Sequence, residues 1–345
     1  MVTRLANVVS RLRGADNTLR EEIDELMRGN RERRDPEVER RLVHLRNAAF
    51  AKQRHRRPRS SPSTATEVGE EAARWKIVDG IPEIGAEQLD ARVIRSAFLQ
   101  AGCLLVRGLM QPAAAAELRE GIDTALEHRD AFTEGRPAEE TTPWFEPLEP
   151  VPPYSTEGAD WNRIKARSGA VWACDSPRMM FELLDTFERA GFLGAATEYL
   201  GERPSFSMNK AVLRRTPPDT LGAWHQDGAF LGKGIRTLNI WLALSACGED
   251  APSLDMVPRR FESVLETGTR GAAFPWSVSG EIAEELLGGE DPARPVFGPG
   301  DAILFDHLCL HKTGSGPGMT ETRYATETWC FASSDFPSEL VPLLI

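Results

Sequence analysis

In the stretch Trp224-His225-Gln226-Asp227-Gly228-Ala229-Phe230 an imidazole and a carboxylate stand two residues apart. If the stretch is extended, a side-chain period of two puts both on one face, where both reach a single ion. Mononuclear metal chemistry ordinarily needs a third ligand. The chain has six histidines: His44, His55, His128, His225, His307 and His311. The first two lie in a strongly charged N-terminal segment and His128 ends a polar helical pattern, which leaves His307 and His311 in GPGDAILFDHLCLHKTG. Gly298-Pro299-Gly300-Asp301 reads as a turn and AILF as a buried strand. Strict alternation would put Phe305, His307, Cys309 and His311 on one face, so periodicity does not choose between the two histidines.

The elements that must position these groups follow from patterning. Residues 85–102 predict an amphipathic helix closed by Gly102, and CLLVRGLM from Cys103 a short apolar strand. A second helix begins at Pro112, where the missing N–H is harmless. Residues 136–161 are dense in Pro and Glu and carry exposed-looking Trp144, Phe145 and Tyr154. A loop that long in a compact domain implies a functional lid, expected at about residues 129–165. Helical spacing returns from Pro177 to Gly201, and strands follow Pro204.

The 345 residues suit one elaborated catalytic domain with an appendage. Residues 1–60 carry a net charge of +7 and the remainder −18. Leu5, Val8, Val9 and Leu12, then Ile23, Leu26 and Met27, then Val38, Leu42 and Leu45 recur at helical spacing, and the basic, serine-rich run from Lys52 to Ser63 reads as a linker. We therefore divide the chain into a charged helical segment, 1–74, and a catalytic domain, 75–345. A nucleic-acid role for the basic cluster is disfavoured, because short basic linkers rarely bind anything specific. The five cysteines are scattered without a CxxC pair, which predicts buried reduced thiols rather than a disulfide framework. With neither a secretory h-region nor a membrane-spanning apolar run, a cytoplasmic location is expected.

Taken together, His225-x-Asp227, Trp241 in LNIWLAL, the PGD turn, His311 and Arg323 resemble the phytanoyl-CoA dioxygenase family of iron(II)- and 2-oxoglutarate-dependent oxygenases. The segment FLQAGCLLVRGLMQPAAAAELREGID is similar to the opening of that family, so the resemblance spans about residues 85 to 335 and leaves 1–75 unexplained. It implies a mainly β, α+β fold: a double-stranded β-helix, the cupin-like jelly roll, flanked by helices and preceded by the N-terminal appendage. It also implies that His311, not His307, completes the ligand set. Two histidines and one carboxylate hold Fe(II) and leave three adjacent positions for 2-oxoglutarate and O2. Arg323, placed inward on the strand RYATETWCF, would clamp the distal carboxylate of 2-oxoglutarate, helped by the Thr313 hydroxyl, with Trp241 as an aromatic wall.

Because Asp227 is present, hydroxylation or a related oxidation is favoured over halogenation, whose practitioners in the family have Gly or Ala there. The sequence departs from the family at EDAPSLDMVPRRF, where Arg259 and Arg260 replace an expected Gly and Ser. With Arg214, Arg215 and Arg236 they suggest a small-molecule substrate that is anionic or carrier-linked. A homo-oligomer through the N-terminal helices is a further expectation. Two alternatives remain: a cupin-like metal-dependent hydrolase or isomerase, and a non-catalytic binding protein that works through its basic N-terminal helices.

Overall fold

The computed structural model describes residues 18–53, 69–156, 169–232 and 234–345. Strands β1 (Lys76–Val78), β2 (Ile81–Gly85), β3 (Cys103–Arg107), β4 (Ala170–Trp172), β5 (Pro204–Thr216), β6 (Thr237–Ala243), β8 (Ala302–Phe305), β10 (Arg323–Ala332) and β11 (Pro342–Leu344) form one nine-stranded sheet. Its order is β1-β2-β3-β8-β6-β10-β5-β11, with β4 also against β5. A second sheet pairs β7 (Ser253–Met256) with β9 (His311–Gly314). Isolated bridges widen it on both sides, Met256 with Ala293 and His225 with His311. The two sheets enclose a core that includes Trp241, Ile303, Phe305, Trp329, Leu254 and Met256. This is a jelly roll flanked by helices, as expected.

Helices cover the outer face of the large sheet. Every residue of β6 is buried, the mark of a strand packed on both faces. The helix Ala91–Ala101 begins where the Asp90 carboxylate accepts the N–H groups of Arg92 and Val93, and ends at Gly102 in the left-handed region. Pro177–Arg189 and Phe192–Leu200 are two helices, broken at the left-handed Gly191, where one was expected. In the PGD turn Gly300 has φ +95, and a Cβ there would lie 2.1 Å from the Met110 carbonyl oxygen. The Asp301 carboxylate accepts from the Gly108 and Gly298 N–H groups and from Arg107. The turn is thereby tied to the end of β3.

The N-terminal helices are part of this body rather than an appendage with its own core. Leu19, Ile23 and Met27 of helical residues 18–32, and Leu42, Val43, Ala49 and Phe50 of Pro36–Gln53, share the cluster that includes Phe187 and Phe206. Asn47 and Arg46 donate to the Pro342 and Leu344 carbonyls of β11. The spacing that predicts an amphipathic helix says nothing of what covers its apolar face, and here the catalytic body covers it. Leu5, Val8, Val9, Leu12 and most of the basic linker lie outside the described residues.

The stretch expected as a lid, 129–165, divides into three parts. Residues 129–133 belong to the helix Pro112–Thr133, and residues 157–165 lie outside the described ones. Between them Phe145 is fully buried and Tyr154 packs against Phe50, so Pro and Glu density disguised a segment fastened to the core. All five cysteines are buried thiols, and none forms a disulfide.

Candidate metal centre

His225 and His311 meet through their backbones. The His225 N–H donates to the His311 carbonyl at 2.9 Å and the His311 N–H donates to the His225 carbonyl at 3.0 Å. This bridge sets the imidazoles side by side, with ring centroids 4.4 Å apart. The chain then leaves the extended conformation. Asp227 has φ −61 and ψ −21 and heads the single helical turn Gly228–Leu231. The expected period-two strand is therefore a bridge followed by a turn, and the turn brings Asp227 Oδ2 to 3.7 Å from His311 Nε2. The ligand atoms of His225, Asp227 and His311 all lie within 4.8 Å of one another.

Each imidazole is held by its far nitrogen. His225 Nδ1 donates to the Ala223 carbonyl at 2.9 Å, and His311 Nδ1 to the Cys309 carbonyl at 3.1 Å. A carbonyl only accepts, so the proton sits on Nδ1 and the Nε2 lone pair faces the cluster. Burial, reinforced by the neighbouring His225, lowers His311 to about 4 and leaves it neutral at physiological pH. Asp227 is 2% exposed and its Oδ2 has no hydrogen-bond partner. A buried carboxylate oxygen without a donor is costly unless a cation neutralises it. The donor set, its neutral imidazoles and this orphaned oxygen together fit a divalent iron.

His307 is elsewhere. β8 ends at Phe305, and Asp306 opens a turn in which its side chain accepts the Leu308 N–H. The turn breaks the alternation that had left both histidines eligible. His307 Nδ1 pairs with Thr237 Oγ1, and its ring borders a separate cavity with Tyr199 and Arg260.

Arg323, the first residue of β10, is 2% exposed. It donates to the Ser253 carbonyl and to Thr216 Oγ1, each at 2.9 Å, while its Nε has no partner. Burial lowers it to about 10. Its guanidinium lies 5.3 Å from the Trp241 ring centroid, and Trp241 packs tilted against Phe297. Thr313 follows His311 by two residues on β9 and shares its face. The backbone of Gly222 runs so close that a Cβ there would lie 2.5 Å from the Thr313 nitrogen.

All five arginines suggested as anion readers are engaged within the chain. Arg215 pairs with Asp123, Arg236 with Glu202 and Asp335, Arg260 with Asp306, and Arg259 lies over Phe261. Arg214 pairs with Glu327. Sequence reasoning did not single out Lys210, whose Nζ is 3.8 Å from Asp227 Oδ1, nor Glu327. Alternation offered a signal for both: Glu327 is four residues from Arg323 on one strand, and Lys210 is four from Arg214 on another. Burial would raise Glu327, but Arg214, Lys210 and the two imidazoles outweigh it and hold this carboxylate well below the usual range.

The sequence model of the phytanoyl-CoA dioxygenase family matches residues 98–319, well over half of the chain. The chain belongs to this family. It is an enzyme, an iron(II)- and 2-oxoglutarate-dependent oxygenase that uses O2. The fold is shared with a crystal structure of EctD from S. alaskensis with 2-oxoglutarate and 5-hydroxyectoine, at 20% identity and TM-score 0.50, over 81% of this chain and 83% of that one. More distant likenesses include EvdO2 from Micromonospora carbonacea var. aurantiaca complexed with 2-oxoglutarate, with 16% identity, TM-score 0.46 and coverage of 73% and 91%. Another is SnoK, a non-heme alpha ketoglutarate dependent carbocyclase from nogalamycin biosynthesis, with 14% identity, TM-score 0.46 and coverage of 79% and 87%. No curated relative matches the chain. Neither the hydrolase nor the binding-protein alternative gains support from these likenesses. Among the described residues no helix is long and apolar enough to cross a membrane.

Proposed function

We propose that His225, Asp227 and His311 hold the iron, that Arg323 clamps the distal carboxylate of 2-oxoglutarate, and that the enzyme hydroxylates a small-molecule substrate. The observation that carries this reading is a pair of buried, incompletely partnered groups in one barrel: a carboxylate oxygen of Asp227 without a hydrogen-bond donor, and the Arg323 guanidinium held by a carbonyl and a hydroxyl rather than by a carboxylate. Arg323 lies four residues beyond the matched family segment, so its assignment rests on this burial and on its place on β10.

When bound, iron with 2-oxoglutarate and O2 supplies the oxidising power, and 2-oxoglutarate leaves as succinate and CO2. The chain supplies placement. The Ala223 and Cys309 carbonyls fix both imidazoles with Nε2 forward, and the bridge between His225 and His311 keeps their separation rigid. Ser253 and Thr216 hold the guanidinium before any cosubstrate arrives, which reduces the ordering cost of binding. Trp241 flattens one wall against it, and the Thr313 hydroxyl, on the face of His311, supports the same carboxylate.

Anaerobic titration with Fe(II) and then 2-oxoglutarate tests the assignment, through the visible metal-to-ligand charge-transfer band that forms on chelation. The band is expected in wild type and in His307→Ala, and is expected to vanish in His311→Ala. Loss in His307→Ala with retention in His311→Ala would refute the ligand set.

A further inference from the structure

Among the described residues the exposed large hydrophobics are few, and three of them are contiguous: Phe230 at 41%, Trp276 at 37% and Phe274 at 49%. Phe274 and Trp276 stack at 4.9 Å, and Trp276 meets Phe230 edge-on at 5.8 Å. The same Trp276 ring lies 5.5 Å from His225. An apolar shelf therefore runs from a ligand of the proposed metal site out to solvent, and a patch of this kind marks a surface that something apolar covers.

Beneath the shelf the charges are unbalanced. Lys210 Nζ is 3.9 Å from the Phe230 ring centroid and has Asp227, at 3.8 Å, as its ion-pair partner. Once Asp227 serves a dication, that pairing weakens and Lys210 has spare charge. Iron(II), Asp227, Arg323 and doubly charged 2-oxoglutarate together sum to zero. Around this set stand Lys210 and the Arg214–Glu327 pair, a surplus of one positive charge. Arg214 and Glu327 neutralise each other at 3.0 Å, with Arg214 still about one third exposed.

We propose, resting on the iron and 2-oxoglutarate reading above, that the substrate is an amphipathic monoanion whose apolar body lies on the Phe230–Trp276–Phe274 shelf and whose carboxylate meets Lys210, with Arg214 as second donor. Glu327 holds Arg214 in place and limits the substrate to one negative charge. Charge-assisted hydrogen bonds in a partly dry site give the carboxylate its preference, and the flat rings accept a range of apolar bodies.

The test uses three probes of one shape: 4-phenylbutyrate, 4-phenylbutyramide and 4-phenylbutylamine. Each is titrated by equilibrium dialysis into protein loaded anaerobically with Fe(II) and 2-oxoglutarate. The carboxylate is expected to bind roughly tenfold more tightly than the amide, and the amine most weakly. Lys210→Met should remove that preference, Trp276→Ala should weaken all three alike, and Glu327→Gln should strengthen the carboxylate by freeing Arg214. Equal binding of carboxylate and amide, binding by none of the three, or a preference that survives Lys210→Met would overturn the proposal. The charge-transfer band in the same samples separates the two readings. If the band forms without carboxylate preference, only this inference fails; if no band forms, both fall.

Discussion

Replacing Arg323 by methionine should separate cosubstrate binding from folding. In the wild type, burial lowers the guanidinium from its ordinary value to about 10, a cost of roughly 3 kcal/mol for keeping it charged. Methionine removes that cost. It also deprives the Ser253 carbonyl and Thr216 Oγ1, both buried, of their donor, at roughly 1–3 kcal/mol each. The two effects oppose and nearly cancel, so the apo-protein is expected to melt within a few degrees of wild type. Cosubstrate binding has no such offset. A bidentate charge-assisted contact in a dry site contributes roughly 3–4 kcal/mol, so Kd should rise by about two to three orders of magnitude. The assay is a thermal melt of the Fe(II)-loaded protein with and without 2-oxoglutarate. At 100 times the wild-type Kd, 2-oxoglutarate stabilises wild type by about 2.7 kcal/mol. The variant should show almost no shift, and Arg323→Lys, which keeps the charge but not the fork, should fall between. A wild-type shift in Arg323→Met would refute the clamp. An apo melt lowered by tens of degrees would show that the arginine is structural instead.

Two further outcomes follow from the packing. Gly222→Ala places a Cβ 2.5 Å from the Thr313 nitrogen, and should displace β9, lowering stability by about 1–3 kcal/mol and weakening Fe(II) through His311; urea unfolding and metal titration check both, and unchanged values would contradict the close approach. Phe50→Ala removes a buried ring that touches Tyr154 and Phe336, and should cost about 3–5 kcal/mol in one cooperative transition. Separate melting of the N-terminal helices, with the main transition unmoved, would show that they do not share the core.

Local chemistry and short-range period were legible in the chain. Gly102, Pro112 and the PGD turn mark their boundaries because left-handed φ, a missing N–H and close backbone approach are properties of single residues. His225, Asp227 and His311 lie, in that order, within the segment that matches the family. Composition misled where it stood in for packing, as at Phe145, which a proline-rich stretch made to look exposed.

What only the tertiary structure decided is which groups face one another. His307 and His311 were equivalent by period until the Asp306 turn broke the strand between them. Five arginines were equal candidates for an anion until acids distant in sequence claimed four of them, Arg214 included through Glu327. Lys210 acquired its meaning from Asp227 and Phe230, which reach it only through the closing of the barrel. The physical reason is common to all three. Residue type and local period depend on neighbours along the chain, whereas desolvation and charge pairing depend on neighbours in space, and in a jelly roll most of those are supplied by other strands.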